Sequence, residues 1–285
     1  MPPESVLLYV GDREQLPPVS GVWGPDLTRP TAALTKVHRQ ALGNPVLRIA
    51  TEVRSGRPFH SVWSPKDVGS VTFRRAPFES RLDFLPEIVQ WIVDRRLSGR
   101  DATLIVYTNA TRQALNRAVR RALGLDVKAV VPGDLLLVRA NNHAVGIMNG
   151  EVLTVTETRP LPNNGWGIRV AGRDGEFFVN ANLIGSPHTD FREWVRDNLL
   201  RDDEWRSRVL RGDAPPQEDS SVSWLHVDYG QVLTCHAAQG SAWDEVGIFW
   251  ERACWGLLKN EPETARRWMY TALTRARLKA AVWYA

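Results

Sequence analysis

Four stretches gather amides, guanidinium groups, hydroxyls and an imidazole in patterns that suit holding a ligand more than attacking one. Gly11-Asp12-Arg13-Glu14-Gln15-Leu16-Pro17-Pro18-Val19 is the first, and Leu34 leads to the second, His38-Arg39-Gln40. Thr234-Cys235-His236-Ala237-Ala238-Gln239-Gly240-Ser241 is the third, and Tyr270-Thr271-Ala272-Leu273-Thr274-Arg275-Ala276-Arg277 the fourth. A glutamine amide is neutral and offers both a donor and an acceptor, so it can hold a phosphate oxygen or a water beside one. An arginine carries a permanent charge and a fork of donors suited to an oxyanion that gains charge as it reacts. A hydroxyl and a neutral imidazole make contacts that form and release without an ion pair. Thr108-Asn109 adds a hydroxyl and an amide at a point where helix N–H groups could also meet a phosphate. Nothing else in the chain competes: there is no Ser-His-Asp spacing, metal-ligand cluster or paired-carboxylate signature.

These residues sit at the ends of elements that the hydrophobic pattern predicts. Residues 6–10 are a continuous apolar run, which predicts a strand buried on both faces, broken by Gly11-Asp12 and the two prolines. Asn44-Pro45 opens a helix that Gly56 stops, with Val46, Leu47, Ile49, Ala50 and Val53 on one side. Helical spacing of Leu85, Ile88, Val89, Ile92 and Val93 predicts a second helix over 82–97. A strand over 103–107 follows. The next helix would turn Ala114, Leu115, Ala118, Val119 and Ala122 inward and Arg112, Asn116, Arg117, Arg120 and Arg121 outward. From Pro132-Gly133 the texture changes to short strands over 135–139, 151–158, 167–170 and 176–179, with Asn149-Gly150 as a hairpin turn. Residues 188–211 read as a polar helical segment and 212–223 as a linker. Strands over 231–234 and 246–250, a helix from Pro262 to about Arg277 and a last strand over 280–284 restore the α/β pattern.

Composition is that of an ordinary globular chain: 285 residues, 43% hydrophobic and 24% charged. No run of 18 apolar residues predicts a membrane span, and the first residues lack the basic and apolar regions of a secretory signal. Cys235 and Cys254 are too few for a disulfide framework and read as buried thiols, so a cytoplasmic location is the default. The net charge of +4 permits a polyanionic partner without requiring one.

Taken in order, with a β-rich insert between the second and third, the four stretches resemble the C-terminal motifs of superfamily 1 DNA helicases of the RecD-like, 5′-to-3′ group. The resemblance implies an α/β fold: a RecA-like, P-loop NTPase-type parallel-sheet second lobe with an inserted small β-barrel, preceded by a remnant of the first RecA-like lobe. It divides the chain into the remnant (1–30), the second lobe's first part (31–132), the barrel with a helical segment (133–225) and the lobe's second part (226–285). It implies a γ-phosphate contact by Gln15, arginine fingers at Arg39 and Arg275, with Arg277 the lesser candidate for the second, and nucleotide contacts from Gly11, Asp12, Gln40, Gln239 and Gly240. Thr234 and His236 become single-strand DNA contacts, joined by Thr108 and Asn109. Gly133 to Asn142, then Met148 to Glu151, resemble the start of the barrel in RecD-like helicases, where Arg139, Asn141 and Asn142 touch DNA or cap a loop. ATP and Mg²⁺ are the implied cofactors and single-stranded DNA the implied partner, with no membrane.

No G-x-x-x-x-G-K-[ST] occurs, nor an apolar strand ending in Asp-Glu upstream of Gly11. The phosphate loop and the Mg²⁺ carboxylates are therefore expected from an N-terminal RecA-like lobe, in the same or a separate chain. These residues alone are expected to hydrolyse ATP negligibly. Ala242 stands where the family commonly has a glutamate for the nucleotide sugar, which predicts relaxed selectivity for ATP. A second reading is a stand-alone module that grips single strands or joins a separate P-loop subunit, supported by the basic helix and the β-insert.

Overall fold

The computed structural model describes residues 6, 8–17, 29–33, 44–57, 67–68, 70–75, 84–142, 145–161, 165–172, 175–183 and 224–284. The chain forms two compact units, Met1–Arg112 with Leu233–Ala285, and Gln113–Val232.

The first unit is mixed α/β around a largely parallel sheet. Its strands are β1 (Asp67–Val68), β2 (Val71–Arg75), β3 (Ala102–Val106), β9 (Val232–Thr234), β10 (Trp243–Trp250) and β11 (Ala276–Tyr284), in the spatial order β1-β2-β11-β10-β3-β9. β10 runs parallel to both β3 and β11, with Ile248 opposite Ile105 and Val282. β11 runs parallel to β2, and only the short β1 turns back on β2. Central strands buried on both faces read as unbroken apolar runs, and Leu104, Ile105, Val106, Val246, Ile248, Val282 and Trp283 are all buried.

Helices flank this sheet. α1 (Pro45–Arg54) starts as its sequence predicts: Asn44 Oδ1 accepts from Val46 N at 2.8 Å and Pro45 occupies the first turn. α2 is Phe84–Leu97, and Trp91 on it meets Trp283 edge-on at 5.5 Å. The contact needs Gly247, where a Cβ would lie 2.8 Å from Leu104 Cδ1 and 3.0 Å from Trp91 Cζ3. The two C-terminal helices, numbered here after α3 (Asn109–Ala122), are α4 (Arg252–Asn260) and α5 (Pro262–Leu273). The α5 helix ends four residues before the predicted Arg277, where Arg275 N turns back three residues to Ala272 O at 3.2 Å and tightens the last turn.

The second unit holds a closed five-stranded barrel of β4 (Leu135–Val138), β5 (Val152–Pro160), β6 (Trp166–Gly172), β7 (Gly175–Leu183) and β8 (Trp224–Tyr229). β8 pairs antiparallel with β4 and parallel with β7, which closes the ring. Val138, Leu153, Val155, Ile168, Val170, Leu225 and Val227 fill it. The predicted linker and strand assignments left β8 unseen, although 225–229 alternates apolar and polar residues. The Asn149-Gly150 turn does not join β4 to β5 directly. It lies in a longer connection that carries its own bridge between Asn142 and Ile147, and Gly150 adopts φ +93°.

Two expectations are corrected. Residues 6 and 8–10 form no strand: Val6, Leu8 and Val10 are 92%, 80% and 84% exposed. A parallel strand buried on both faces needs a neighbour on each side, and no strand among the described residues pairs with it. The arginine face of α3 is also not outward. Arg112 and Arg120 are 1% and 0% exposed and Asn116 is buried, while Ala114 and Ala122 are exposed. The Asp134 carboxylate holds Arg120 NH1 at 2.6 Å, the Asp126 carbonyl accepts from Nε and NH2 and the Ala129 carbonyl from NH2, and the Tyr229 ring lies 4.0 Å from its guanidinium carbon. A fully engaged guanidinium can be buried where a free one cannot. The predicted helical segment over 188–211 lies outside the described residues.

Candidate functional site

The first, third and fourth motifs meet in the α/β unit. Asp12 organises the first. Its Oδ1 accepts from Glu14 N at 3.0 Å and its Oδ2 from Gln15 Nε2 at 3.3 Å, a turn that aspartate stabilises through its own backbone. Tyr270 on α5 donates its hydroxyl to the same Oδ2 at 3.3 Å. One turn earlier on α5, Arg266 spans Glu14 and Glu263 at 2.8 Å each. Leu16 is buried; its N–H donates to Thr271 Oγ1 at 3.1 Å and its carbonyl accepts from Gln239 Nε2 at 3.0 Å. Gln15 and Gln239 are thus held within one hydrogen-bonded assembly, with Gly11 and Asp12 at its edge.

The third motif is a compact turn after β9. Ala238 N bonds Thr234 O at 3.0 Å, Gln239 N bonds His236 O at 3.2 Å, and Gly240 takes φ +85°, a left-handed conformation that suits glycine. Thr234 and His236 are both partly exposed. Burial, which favours the neutral ring, holds the His236 imidazole below its ordinary value, against the opposing effect of a hydrogen bond that the ring donates to the Pro17 backbone carbonyl. Arg275 is 6% exposed. It donates to Thr271 O, Ser241 O and Thr274 Oγ1, each at 3.1 Å. Arg277, by contrast, is exposed and bridges Asp101 and Asp244 at 2.9 and 3.3 Å. Arg39 and Gln40 lie outside the described residues.

Thr108 and Asn109 stand at the end of β3, but a carboxylate has taken the Thr108 donors expected to meet a phosphate. Glu251 Oε1 accepts from Tyr107 N and Thr108 N at 2.8 Å each, and Oε2 accepts from Thr108 Oγ1 at 3.0 Å and from Thr111 Oγ1. Glu251 escaped the sequence reading. Its signal was an acid placed directly after the apolar run of β10, where a buried strand gives a charge little water.

In the barrel unit, Asn142 is buried and caps its loop, its Oδ1 accepting from Val145 N at 3.4 Å while its backbone bridges Ile147. Asn141 Oδ1 accepts from Asn149 N at 2.8 Å in the same connection. Arg139 is partly exposed, with its backbone N–H on His226 O at 2.8 Å.

Similarity to known proteins follows these motifs. Residues 229–283 match the UvrD-like helicase C-terminal domain. That segment contains the third and fourth motifs with β9, β10, α4, α5 and most of β11. The chain is similar to the C-terminal portion of superfamily 1 helicases of the RecD-like group, as the motif order implied. It is 25% identical over 283 residues to the ATP-dependent RecD2 DNA helicase of Deinococcus radiodurans, covering 97% of this chain and 32% of that protein. The chain therefore spans about a third of that helicase's length. Among solved structures, a Bacteroides Pif1 helicase in complex with ADP-AlF3 and single-stranded DNA aligns with a TM-score of 0.45 and 15% identity, over 88% of this chain and 51% of the other. The Pif1 helicase of Candida albicans aligns with a TM-score of 0.43 and 11% identity, over 88% and 55%.

Proposed function

We propose that the chain is the C-terminal part of an ATP-dependent 5′-to-3′ DNA helicase, supplying a γ-phosphate sensor, arginine fingers and part of a single-strand track. The observation that carries this reading is Leu16, whose N–H and carbonyl tie the first motif to Thr271 of the fourth and Gln239 of the third. A motor must let groups that feel the nucleotide shift with groups that hold the strand. One residue of backbone linking all three motifs supports that coupling.

In this reading Gln15 presents its amide to the γ-phosphate or its attacking water, and Arg39 and Arg275 stabilise the charge that develops there. Gly11, Asp12, Gln40, Gln239 and Gly240 line the nucleotide. Thr234 and His236 meet the strand with neutral groups and Asn109 extends the track, while Thr108 is engaged by Glu251 and Asn142 by its own loop. In the barrel unit, taken by itself, Arg139 is the remaining candidate contact. Reaching a phosphate requires Arg275 to leave the carbonyls of Thr271 and Ser241. Nucleotide binding then exchanges neutral acceptors for a charged one. Mg²⁺ supplies charge neutralisation between the phosphates when bound. Among the described residues no group of His, Cys, Asp or Glu is placed to hold a metal. Its ligands and the phosphate cradle belong, in this reading, to the first RecA-like lobe.

The stand-alone binding reading drew on a basic α3 face, and the burial of Arg112 and Arg120 removes much of that support. The test is to titrate the purified chain with a single-stranded oligonucleotide across a salt series and to assay ATP hydrolysis in parallel. Salt-dependent binding with no turnover is expected. DNA-stimulated turnover lost in Arg275→Ala would show that no second lobe is needed. Failure to bind any single strand would remove the DNA track from the proposal.

A further inference from the structure

Three neighbours at the end of β3 differ in what they offer a ligand. Glu251 is 8% exposed and takes the Tyr107 and Thr108 N–H groups just before α3 together with the Thr108 and Thr111 hydroxyls. A carboxylate fixed there repels a second anion, and its burial leaves that repulsion little screened. Tyr107 is partly exposed, and its ring stands edge-on to Trp268 at 6.2 Å. Trp268 is fully buried and packs in turn on Trp250 at 5.6 Å, so the Tyr107 ring rests on a rigid aromatic base. Asn109 is exposed, and its Oδ1 accepts from Arg112 Nε at 3.2 Å, which leaves the Nδ2 protons as its donors on offer.

We propose that Tyr107 and Asn109 form a contact for an unstacked nucleobase, and that Glu251 keeps backbone phosphate out of it. The proposal rests on the single-strand track above and changes its chemistry at this point from phosphate to base. An aromatic face stacks any base, and an amide donor meets the carbonyl oxygens of pyrimidines or the ring nitrogens of purines. Thr108, with its donors on Glu251, then positions the turn and does not touch the strand.

The test is fluorescence anisotropy of a labelled oligothymidylate against the whole chain, repeated over a salt series, with an abasic oligonucleotide of the same length as the second probe. Tyr107→Leu is expected to weaken oligothymidylate binding by about tenfold, the scale of one base–aromatic stack. Asn109→Ala is expected to weaken it by about fivefold, on the scale of one hydrogen bond. Neither should alter the slope of log affinity against log salt, because no phosphate contact is lost. Wild-type chain should bind the abasic strand about tenfold more weakly than the base-bearing one. Glu251→Gln should steepen the salt slope by about 0.7, as one phosphate enters. Equal wild-type affinity for abasic and base-bearing strands overturns the proposal, and so does a shallower slope in Asn109→Ala. The abasic probe against the wild-type chain leaves the fold untouched, so a misfolded Tyr107 or Asn109 variant does not decide the matter. Should the wild-type chain bind neither strand, the single-strand track falls together with this contact.

Discussion

Asp12 accepts hydrogen bonds from Glu14 N, Gln15 Nε2 and Tyr270 OH, so the first motif is held by a side chain that the fourth motif also grips. Tyr270→Phe deletes one of these without changing shape. It should lower stability by about 1 kcal/mol in urea melts and raise hydrogen exchange at Glu14 and Gln15. Arg275 carries more. Truncation to Ala removes a buried guanidinium's bonds to the Thr271 carbonyl, which keeps the Thr274 hydroxyl, and to the Ser241 carbonyl, and about 2 kcal/mol of stability should go in a nucleotide-free urea titration. An unchanged midpoint would mean that the guanidinium already spends its time away from those carbonyls. Most of these residues were legible in sequence as motif members, because the chemistry restricts residue type. Their partners were less so. Nothing in the spelling of Arg266 or Thr271 says which loop they hold, since that depends on which face of α5 the turn meets.

The α3 helix shows where element-level reading succeeds and fails. Its boundaries were legible from Thr108-Asn109 and the helical pattern, but its buried face was assigned by hydrophobicity alone. Arg112, Leu115, Asn116, Val119 and Arg120 form the real buried face, because each polar member has a fixed partner. A pattern of types cannot announce a carboxylate fourteen residues on. Breaking the Arg120–Asp134 pair leaves a charge buried and unpaired. Asp134→Ala should therefore cost about 3–5 kcal/mol by denaturant melts, while replacing both residues with apolar ones of similar volume should cost much less. In the sheet, Gly247→Ala should cost about 1–3 kcal/mol in the same assay, because the buried Leu104 and the Trp91 and Trp283 rings must shift to admit the added methyl. The run over 6–10 was read by the same hydrophobic rule that served β3 and β10 well. There the rule named the composition correctly and the burial wrongly, since burial also requires neighbouring strands.

At the scale of the molecule, the two units should respond differently to acid. His226 lies on β8 in the barrel unit, and burial pushes its imidazole down to about 4 from 6.5. Between those values the unfolded chain takes up a proton that the folded chain refuses. The stability His226 contributes is present above about pH 6.5 and is lost as pH falls through about 4. Its full loss amounts to about 3 kcal/mol. Thermal melts at pH 7 and pH 5 should show the barrel weakening, and His226→Gln should flatten that dependence. The α/β unit is discontinuous in sequence, being interrupted by Gln113–Val232. The ends of that interruption are clipped by one side chain: Asn116 Nδ2 donates to Val232 O at 2.9 Å, and Val232 N donates to Asn116 Oδ1 at 3.0 Å. During synthesis β3 emerges long before β10, and pairing them in an open chain would require closing a very long loop. An insert that folds first and fastens its own ends shortens that search to a few residues, delivering β9 to the flank of β3 before β10 arrives. Asn116 is then a catch that sets the order of assembly. Its loss should slow folding of the parallel sheet more than it hastens unfolding.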